Sequence, residues 1–170
     1  LGVDLYGGRV TADAAEALQL SSDMRTESAM EIIAGARAAL AAHPRSNGKV
    51  GVTGFCLGGG MALAAACTLP GVACAVPFYG IPRPDFQRFS AETPPILGHY
   101  AEVDGFVTPE RTRELASRAS AAGARFELHF YAAGHAFMRR GDPAAYDEAA
   151  AALAWSRTLA FLGRELGPAD

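Results

Sequence analysis

The chain has 170 residues, half of them hydrophobic, and a formal net charge of −3. This length and composition predict one domain over residues 1–170 with a sizeable core. The weakly acidic balance argues against a nucleic-acid partner, and no apolar run reaches the ~18 residues of a membrane span. No secretory signal is visible, and three cysteines do not suggest a disulfide framework, so we expect a cytoplasmic protein.

The first part of the chain predicts two helices. Residues 1–6 have the pattern of a strand tail that runs into a loop. An Ala-rich helix is expected over 11–20, and Asp23 is expected to cap a longer helix that ends near Ala42. A turn at 46–48 then leads into the most informative stretch.

That stretch is Gly54-Phe55-Cys56-Leu57-Gly58, between a predicted strand over 49–53 and a predicted helix over 61–67. Glycine, a nucleophile and glycine at this spacing between strand and helix are the signature of a nucleophile elbow. Glycine on both sides is expected to remove the clash that so sharp a turn would produce. Cys56 stands where most elbows carry serine, and helix-terminal N–H groups favour a thiolate there. The alternative is a Gly-rich turn into a tightly packed helix with a buried cysteine.

Strands and helices alternate through the rest of the chain. Three more apolar strands are expected, over 72–78, 96–100 and 125–131. Two helix starts are indicated by a capping residue followed by proline, at Thr108-Pro109 and Asp142-Pro143. In the last helix a stripe is expected to pack on the sheet, formed by Trp155, Leu159, Leu162 and Leu166. The alternation predicts an α/β fold whose mostly parallel sheet is flanked by helices.

Three chemically capable residues each follow a predicted strand. They are Cys56, Asp104 and His135. Ligands of such sheets sit beyond the carboxyl ends of the strands, so we expect these side chains to converge. The order nucleophile, acid, histidine is that of α/β-hydrolases. The alternatives remain that Asp104 only starts a turn and that His135 is an ordinary loop histidine.

These segments resemble the dienelactone hydrolase family. The resemblance rests on Gly-Phe-Cys-Leu-Gly-Gly-Gly at 54–60, Val-Asp-Gly-Phe-Val-Thr-Pro at 103–109, Ala-Gly-His-Ala-Phe at 133–137 and Asp-Leu-Tyr at 4–6. It covers nearly the whole chain and implies an α/β-hydrolase fold with a Cys-Asp-His triad. It also implies cleavage of a carboxylic ester or lactone similar to dienelactone.

The residue types indicate how such a triad would act. The Cys56 sulfur attacks the carbonyl and forms a thioester, while His135 moves the proton and Asp104 orients the imidazole. The backbone N–H of Leu57 is the expected oxyanion donor. Water then hydrolyses the thioester. No metal or other cofactor is expected, since the remaining histidines and Cys67 have no ligand-like clustering.

Three further residues are candidates for substrate binding. The resemblance implies that Arg139 binds a substrate carboxylate, the alternative being a solvated loop arginine. Arg9 is a second such candidate, although Gly7-Gly8 shifts its register relative to the family. Tyr79 is expected to line the pocket, with core packing as its alternative. The expected partner is therefore a small ester or lactone, and the two arginines would suit one that carries a carboxylate.

One departure from the family affects the function. Cys56 is preceded by 55 residues, fewer than the family carries before its elbow, so the early strands of the sheet are expected to be absent. The resemblance implies that this segment pairs with the elbow strand and supplies a second oxyanion N–H and a glutamate that assists the cysteine. An unpaired apolar edge is an association hazard, so we expect a homo-oligomer or a longer protein. The alternative functions are a truncated, non-catalytic or weakly active domain that assembles with itself or a partner, and a redox-sensing thiol protein.

Overall fold

A computed structural model describes residues 1–167 of the chain. The sheet has four parallel strands in the order β1-β2-β3-β4. Their bounds are Val50–Phe55 for β1, Val72–Phe78 for β2, Ile96–Val103 for β3 and Phe126–Gly134 for β4. The helices are α1 over Ala14–Asp23, α2 over Thr26–Ala41, α3 over Leu57–Thr68, α4 over Pro109–Ala121 and α5 over Glu148–Leu166. A short 3-10 turn covers Pro84–Phe86.

Helices cover both faces of the sheet, as a parallel sheet requires. Alternate residues of β2 point to opposite sides: Cys74, Val76 and Phe78 pack in the cluster that contains α5, and Ala75 packs with α3 and α4. Helix α2 lies outside α3, and the two meet through a separate apolar cluster. The α/β-hydrolase prediction of a parallel sheet flanked by helices is confirmed.

The N-terminal predictions are corrected in two places. Residues 1–6 form no strand, because the Asp4 carboxylate accepts from the backbone N–H groups of Tyr6 and Gly8 and folds the segment into a turn. Asp23 is the last residue of α1 and caps nothing, and α2 follows Arg25 without a side-chain cap. The capping residue is Asp13, whose carboxylate accepts from the Glu16 N–H at 2.8 Å.

The last helix also differs from its prediction. Asp142 holds a turn, and α5 begins after Asp147, which accepts from the Ala150 N–H at 2.8 Å. Of the predicted stripe, Leu162 and Leu166 pack against the cluster on the sheet, whereas Trp155 and Leu159 are 45% and 54% exposed. The buried residues of α5 in that cluster are Ala150, Ala154 and Phe161.

One edge of β1 has no strand beside it in the described part of the chain. A groove of about 440 Å³ runs along it, lined by β1, by residues of α2 and α3 and by residues 1–5. Its apolar lining includes Val50, Val52 and Met61. The elbow strand therefore has its only described strand partner, β2, on one side.

Candidate active site

Cys56 occupies a strained turn between β1 and α3. Its φ of 53° lies in the left-handed region that non-glycine residues rarely adopt. The turn is fixed because the Cys56 N–H donates to the Phe78 carbonyl at 3.0 Å and the Cys56 carbonyl accepts from the Gly60 N–H at 3.1 Å. A side chain at Gly54 would collide with the Gly58 carbonyl, whereas one at Gly58 would meet nothing within 4 Å. The steric need for glycine predicted on both sides is therefore found at Gly54 but not at Gly58, and after Cys56 it falls on Gly59, where a Cβ would collide with the Phe78 carbonyl.

Gly80 is a structural requirement of the elbow that sequence reasoning missed. A Cβ there would collide with the Cys56 carbonyl and the Gly60 N–H. The Gly80 carbonyl in turn accepts from the buried Tyr100 hydroxyl at 3.0 Å. The end of β2 thus packs directly beneath the nucleophile. No spacing rule reveals this contact, which arises only when β1 and β2 are paired.

The structure brings Cys56, His135 and Asp104 together. His135 Nε2 lies 3.2 Å from Cys56 Sγ, and His135 Nδ1 lies 2.7 Å from Asp104 Oδ2. The Asp104 side chain is fully buried, the imidazole is largely buried and Cys56 is exposed. The second Asp104 oxygen accepts from the N–H groups of Phe106 and Val107 at 2.8 and 2.9 Å. Asp104 therefore both holds a turn and contacts the histidine.

The electrostatics of the site favour a thiolate and an imidazolium. The hydrogen bond from His135 lowers the pKa of Cys56, assisted by the histidine's charge and the Leu57 N–H and opposed by burial and Asp104. The hydrogen bond to Cys56 raises the pKa of His135 to about 9, with help from Asp104 and against the effect of burial. Burial instead raises the pKa of the Cys67 and Cys74 thiols, to about 12 and about 11. Cys56 is thus the one described cysteine whose thiol pKa is lowered.

Tyr79 lies in the core rather than on the wall of an open pocket. It is 3% exposed, and its ring packs on those of His135 and Phe137 at 5.1 and 5.2 Å between centroids. Burial raises the pKa of its hydroxyl to about 12. The packing alternative describes its placement, and its link to the site runs through the loop that carries His135.

The two arginines lie on the surface. Arg139 is four residues beyond His135 and its guanidinium lies 3.5 Å from the Asp142 carboxylate. Arg9 lies on the segment before α1, and its guanidinium is 3.7 Å from the carboxylate of Glu16 in α1. In residues 1–167 no hydrogen bond or ion pair links either arginine to Cys56, Asp104 or His135.

The described residues contain neither a metal-binding cluster nor a helix that could span a membrane. No group of three or more His, Cys, Asp or Glu side chains in this part of the chain is arranged to hold a metal ion. Within 1–167, no helix combines the length and apolar character that crossing a membrane demands.

The sequence was compared with known protein families. The model of the dienelactone hydrolase family matches residues 1–166. The chain belongs to this family. Among curated relatives, carboxymethylenebutenolidase 1 of Cupriavidus pinatubonensis is 33% identical over 155 residues, which cover 90% of this chain and 64% of that protein. A carboxymethylenebutenolidase from a Pseudomonas species is 35% identical over 152 residues, or 88% of this chain and 62% of the relative.

This dienelactone hydrolase family chain thus spans less than two thirds of those two relatives. A solved structure of a provisionally named dienelactone hydrolase from Klebsiella pneumoniae aligns with a TM-score of 0.75 at 23% identity, covering 94% of this chain and 72% of that one. Esterase 2 of Thermogutta terrifontis aligns with a TM-score of 0.61 at 21% identity, covering 84% and 64%. At these identities the likeness concerns the fold.

Proposed function

We propose that this protein hydrolyses a carboxylic ester or lactone through a thioester on Cys56. The observation that carries the proposal is the continuous contact from Cys56 Sγ through both His135 nitrogens to the Asp104 carboxylate. A nucleophile, a base and an orienting acid in this geometry are the requirements for acyl transfer. Family membership and the names of the curated relatives support the same reaction class.

Acylation begins with the thiolate. Cys56 Sγ attacks the carbonyl carbon, and the carbonyl π electrons move onto its oxygen. The Leu57 N–H, at the start of α3, donates to that oxyanion. As the tetrahedral intermediate collapses, the bond to the alkoxide breaks and the His135 imidazolium protonates the departing oxygen. The buried Asp104 carboxylate holds Nδ1 of the ring, so that Nε2 faces the sulfur and the leaving group.

In deacylation His135 acts as a base instead of an acid. Neutral His135 accepts a proton from water, whose oxygen attacks the thioester carbonyl. Collapse releases the carboxylic acid and returns the Cys56 thiolate beside the imidazolium. No cofactor enters this sequence, since the nucleophile, base and acid are side chains of the chain itself.

We propose that the substrate carries a carboxylate bound by Arg139. The relatives' name, carboxymethylenebutenolidase, denotes an unsaturated lactone with an acidic substituent. Arg139 lies on the loop that follows His135, and its pairing with Asp142 orients the guanidinium without enclosing it. A charge-assisted contact is worth roughly 10- to 150-fold in affinity. Arg139→Ala should therefore reduce kcat/KM for an acidic lactone and spare its methyl ester, while equal loss for both substrates would make Arg139 structural. Arg9, near the start of the chain and before Cys56, is the second proposed anchor for the substrate carboxylate.

The reaction class is tested with p-nitrophenyl acetate and three proteins. Wild type should hydrolyse the ester, and Cys56→Ala should lose that activity with an unchanged circular dichroism spectrum. Cys56→Ser should retain a small fraction, because His135 can also activate a hydroxyl. Full activity in Cys56→Ala would remove the proposal.

A second proposal concerns assembly and is favoured by the groove beside β1. An apolar strand with a free edge pairs readily with another strand. The 170-residue chain alone would then act as an oligomer or as a weakly active domain within a larger assembly.

We also propose a reducing compartment such as the cytoplasm, because the three cysteines are free and the mechanism requires a thiolate.

A further inference from the structure

Two large apolar side chains are exposed beside the triad, and the mechanism above leaves both unused. Phe106 is 77% exposed and Phe55 is 43% exposed. Phe55 directly precedes Cys56, and Phe106 follows Asp104 by two residues. Burial of an apolar ring is favourable, so an exposed one beside a reactive centre offers surface to a ligand.

Phe106 makes a defined contact with the histidine. The centroids of the Phe106 and His135 rings are 5.2 Å apart, with an angle of 56° between their planes. Tyr79 contacts the same imidazole from the core at 5.1 Å. Because Tyr79 is buried and Phe106 is exposed, the imidazole has one aromatic neighbour in the core and one on the solvent side.

The Phe106 backbone is fixed although its ring is exposed. Its N–H donates to Asp104 Oδ1 at 2.8 Å, and its carbonyl accepts from the Arg111 guanidinium at 3.2 Å. The same carboxylate therefore positions both the imidazole and the base of the phenyl ring. A ring held in this way can contact a substrate with a small loss of backbone entropy.

We propose that Phe106 forms a subsite for the leaving-group side of the substrate and selects planar, apolar alcohol portions. The inference rests on the proposed function. His135 must reach the departing oxygen to protonate it, so the atoms attached to that oxygen lie beside His135. The exposed ring next to the imidazole is that of Phe106, and a flat unsaturated or aromatic group would stack against it. Phe55, the last residue of β1, instead stacks on Phe78 at 4.7 Å between ring centroids.

The test uses esters that change one side at a time. Benzyl acetate and methyl acetate differ in the alcohol portion and have alkoxides of similar basicity. Methyl phenylacetate and methyl acetate differ only in the acyl portion. In Phe106→Ala, kcat/KM for benzyl acetate should fall roughly 2- to 12-fold more than for methyl acetate, mainly through KM. The ratio between the two methyl esters should not change.

Val103→Ala is the matched control. Val103 is the last residue of β3 and is 75% exposed, as Phe106 is 77% exposed, but it carries no ring that could stack beside the imidazole. It should leave all three ratios unchanged. Equal loss for every ester in Phe106→Ala, expressed in kcat, would mean that Phe106 only positions His135 and would overturn the subsite while leaving the reaction class intact. Absence of hydrolysis of all three esters by wild type would overturn the reaction class and the subsite together.

Discussion

The two outer strands of the described sheet differ in how their free edges are protected. Strand β4 is surrounded by charge: Glu127 pairs with His129 at 2.9 Å and with Arg164 at 3.3 Å, and Arg125 pairs with Glu165. Strand β1 instead borders an apolar groove. Charged side chains oppose the addition of another strand, and apolar ones permit it. The contrast indicates that the β4 edge is protected against pairing, whereas the β1 edge can pair with a further strand.

This contrast matters for function because the two strands carry different halves of the site. Strand β1 ends at Cys56, and β4 ends immediately before His135. Asp104, after β3, lies between them in chain order and contacts the histidine. The proposed base His135 and its orienting acid Asp104 therefore belong to the protected side of the sheet, and the proposed nucleophile Cys56 belongs to the open side.

The largest expected effect comes from breaking the link on the protected side. Asp104→Asn should keep the bond to the Phe106 N–H but lose the negative charge that stabilises the imidazolium and selects its tautomer. We expect kcat to fall about 10³- to 10⁴-fold. Steady-state kinetics measures this, with the circular dichroism spectrum as a check on folding. A loss below tenfold would mean that His135 does not depend on Asp104.

A second effect, on the protected side of the sheet, is the pH dependence of the stability of the fold. Buried His99 in β3 binds Tyr131 of β4 at 2.7 Å and Thr158 of α5 at 3.0 Å, and burial lowers the pKa of His99 to about 3. The unfolded chain, with an ordinary histidine pKa, takes up the proton first as pH falls. Stability should therefore be full above about pH 6.5 and decline towards pH 3, by on the order of 3 kcal/mol at pH 4.

Urea unfolding at several pH values measures this decline. His99→Gln is the control, and the comparison uses the slope of stability against pH rather than its absolute value. If the variant kept the full acid dependence, the decline would have to come from other groups.

A third effect tests how the elbow depends on β2. Gly80→Ala should force the Cys56 and Gly60 backbones apart and cost about 1–3 kcal/mol or more. Gly58→Ala, whose Cβ meets nothing within 4 Å inside α3, should instead be neutral or stabilise by up to ~1 kcal/mol. Thermal unfolding of the pair compares them directly. Similar stability of the two variants would contradict the close contact between β2 and the elbow.

The smallest effect concerns the open edge itself. Val52→Lys places a charge in the groove beside β1 and should weaken any self-association of the 170-residue chain about tenfold or more. Ala132→Lys, at an exposed position of β4, should leave association unchanged. Sedimentation velocity over a concentration series decides between them. A wild-type chain that stays monomeric at all concentrations would show that the β1 edge does not pair between copies.

The sequence predicted the parts of this molecule that depend on local pattern. Strand β2 was predicted with its observed bounds, β3 was predicted at its start, and β4 was predicted to begin one residue early; both β3 and β4 extend three residues further than predicted. The added ends include Val103 and Gly134, which pair with each other across β3 and β4, a contact that the pattern of either strand alone does not show. Helix α5 was misplaced because Asp142-Pro143 and Asp147 carry similar capping signals, and only tertiary packing chooses between them.

In the site, too, residues marked by a local pattern could be predicted and residues that matter through tertiary contacts could not. Cys56, Asp104 and His135 could be proposed because each follows a strand, and the carboxyl ends of parallel strands share one edge. Gly80 and Phe106 could not, since their importance comes from contacts with Cys56 and His135 that exist only after the strands pair. Tyr79 was predicted to line the pocket; it follows β2, is 3% exposed and contacts the His135 ring from the core.

The central claim, a thioester on Cys56, is tested most directly by trapping the acyl-enzyme. Wild-type protein is mixed with p-nitrophenyl acetate, quenched in acid within the first turnovers and analysed by intact-protein and peptide mass spectrometry. We predict a mass increase of one acetyl group located on the peptide that contains Cys56, and none in Cys56→Ala. An acetyl group on another residue, or turnover by Cys56→Ala at the wild-type rate, would contradict the claim.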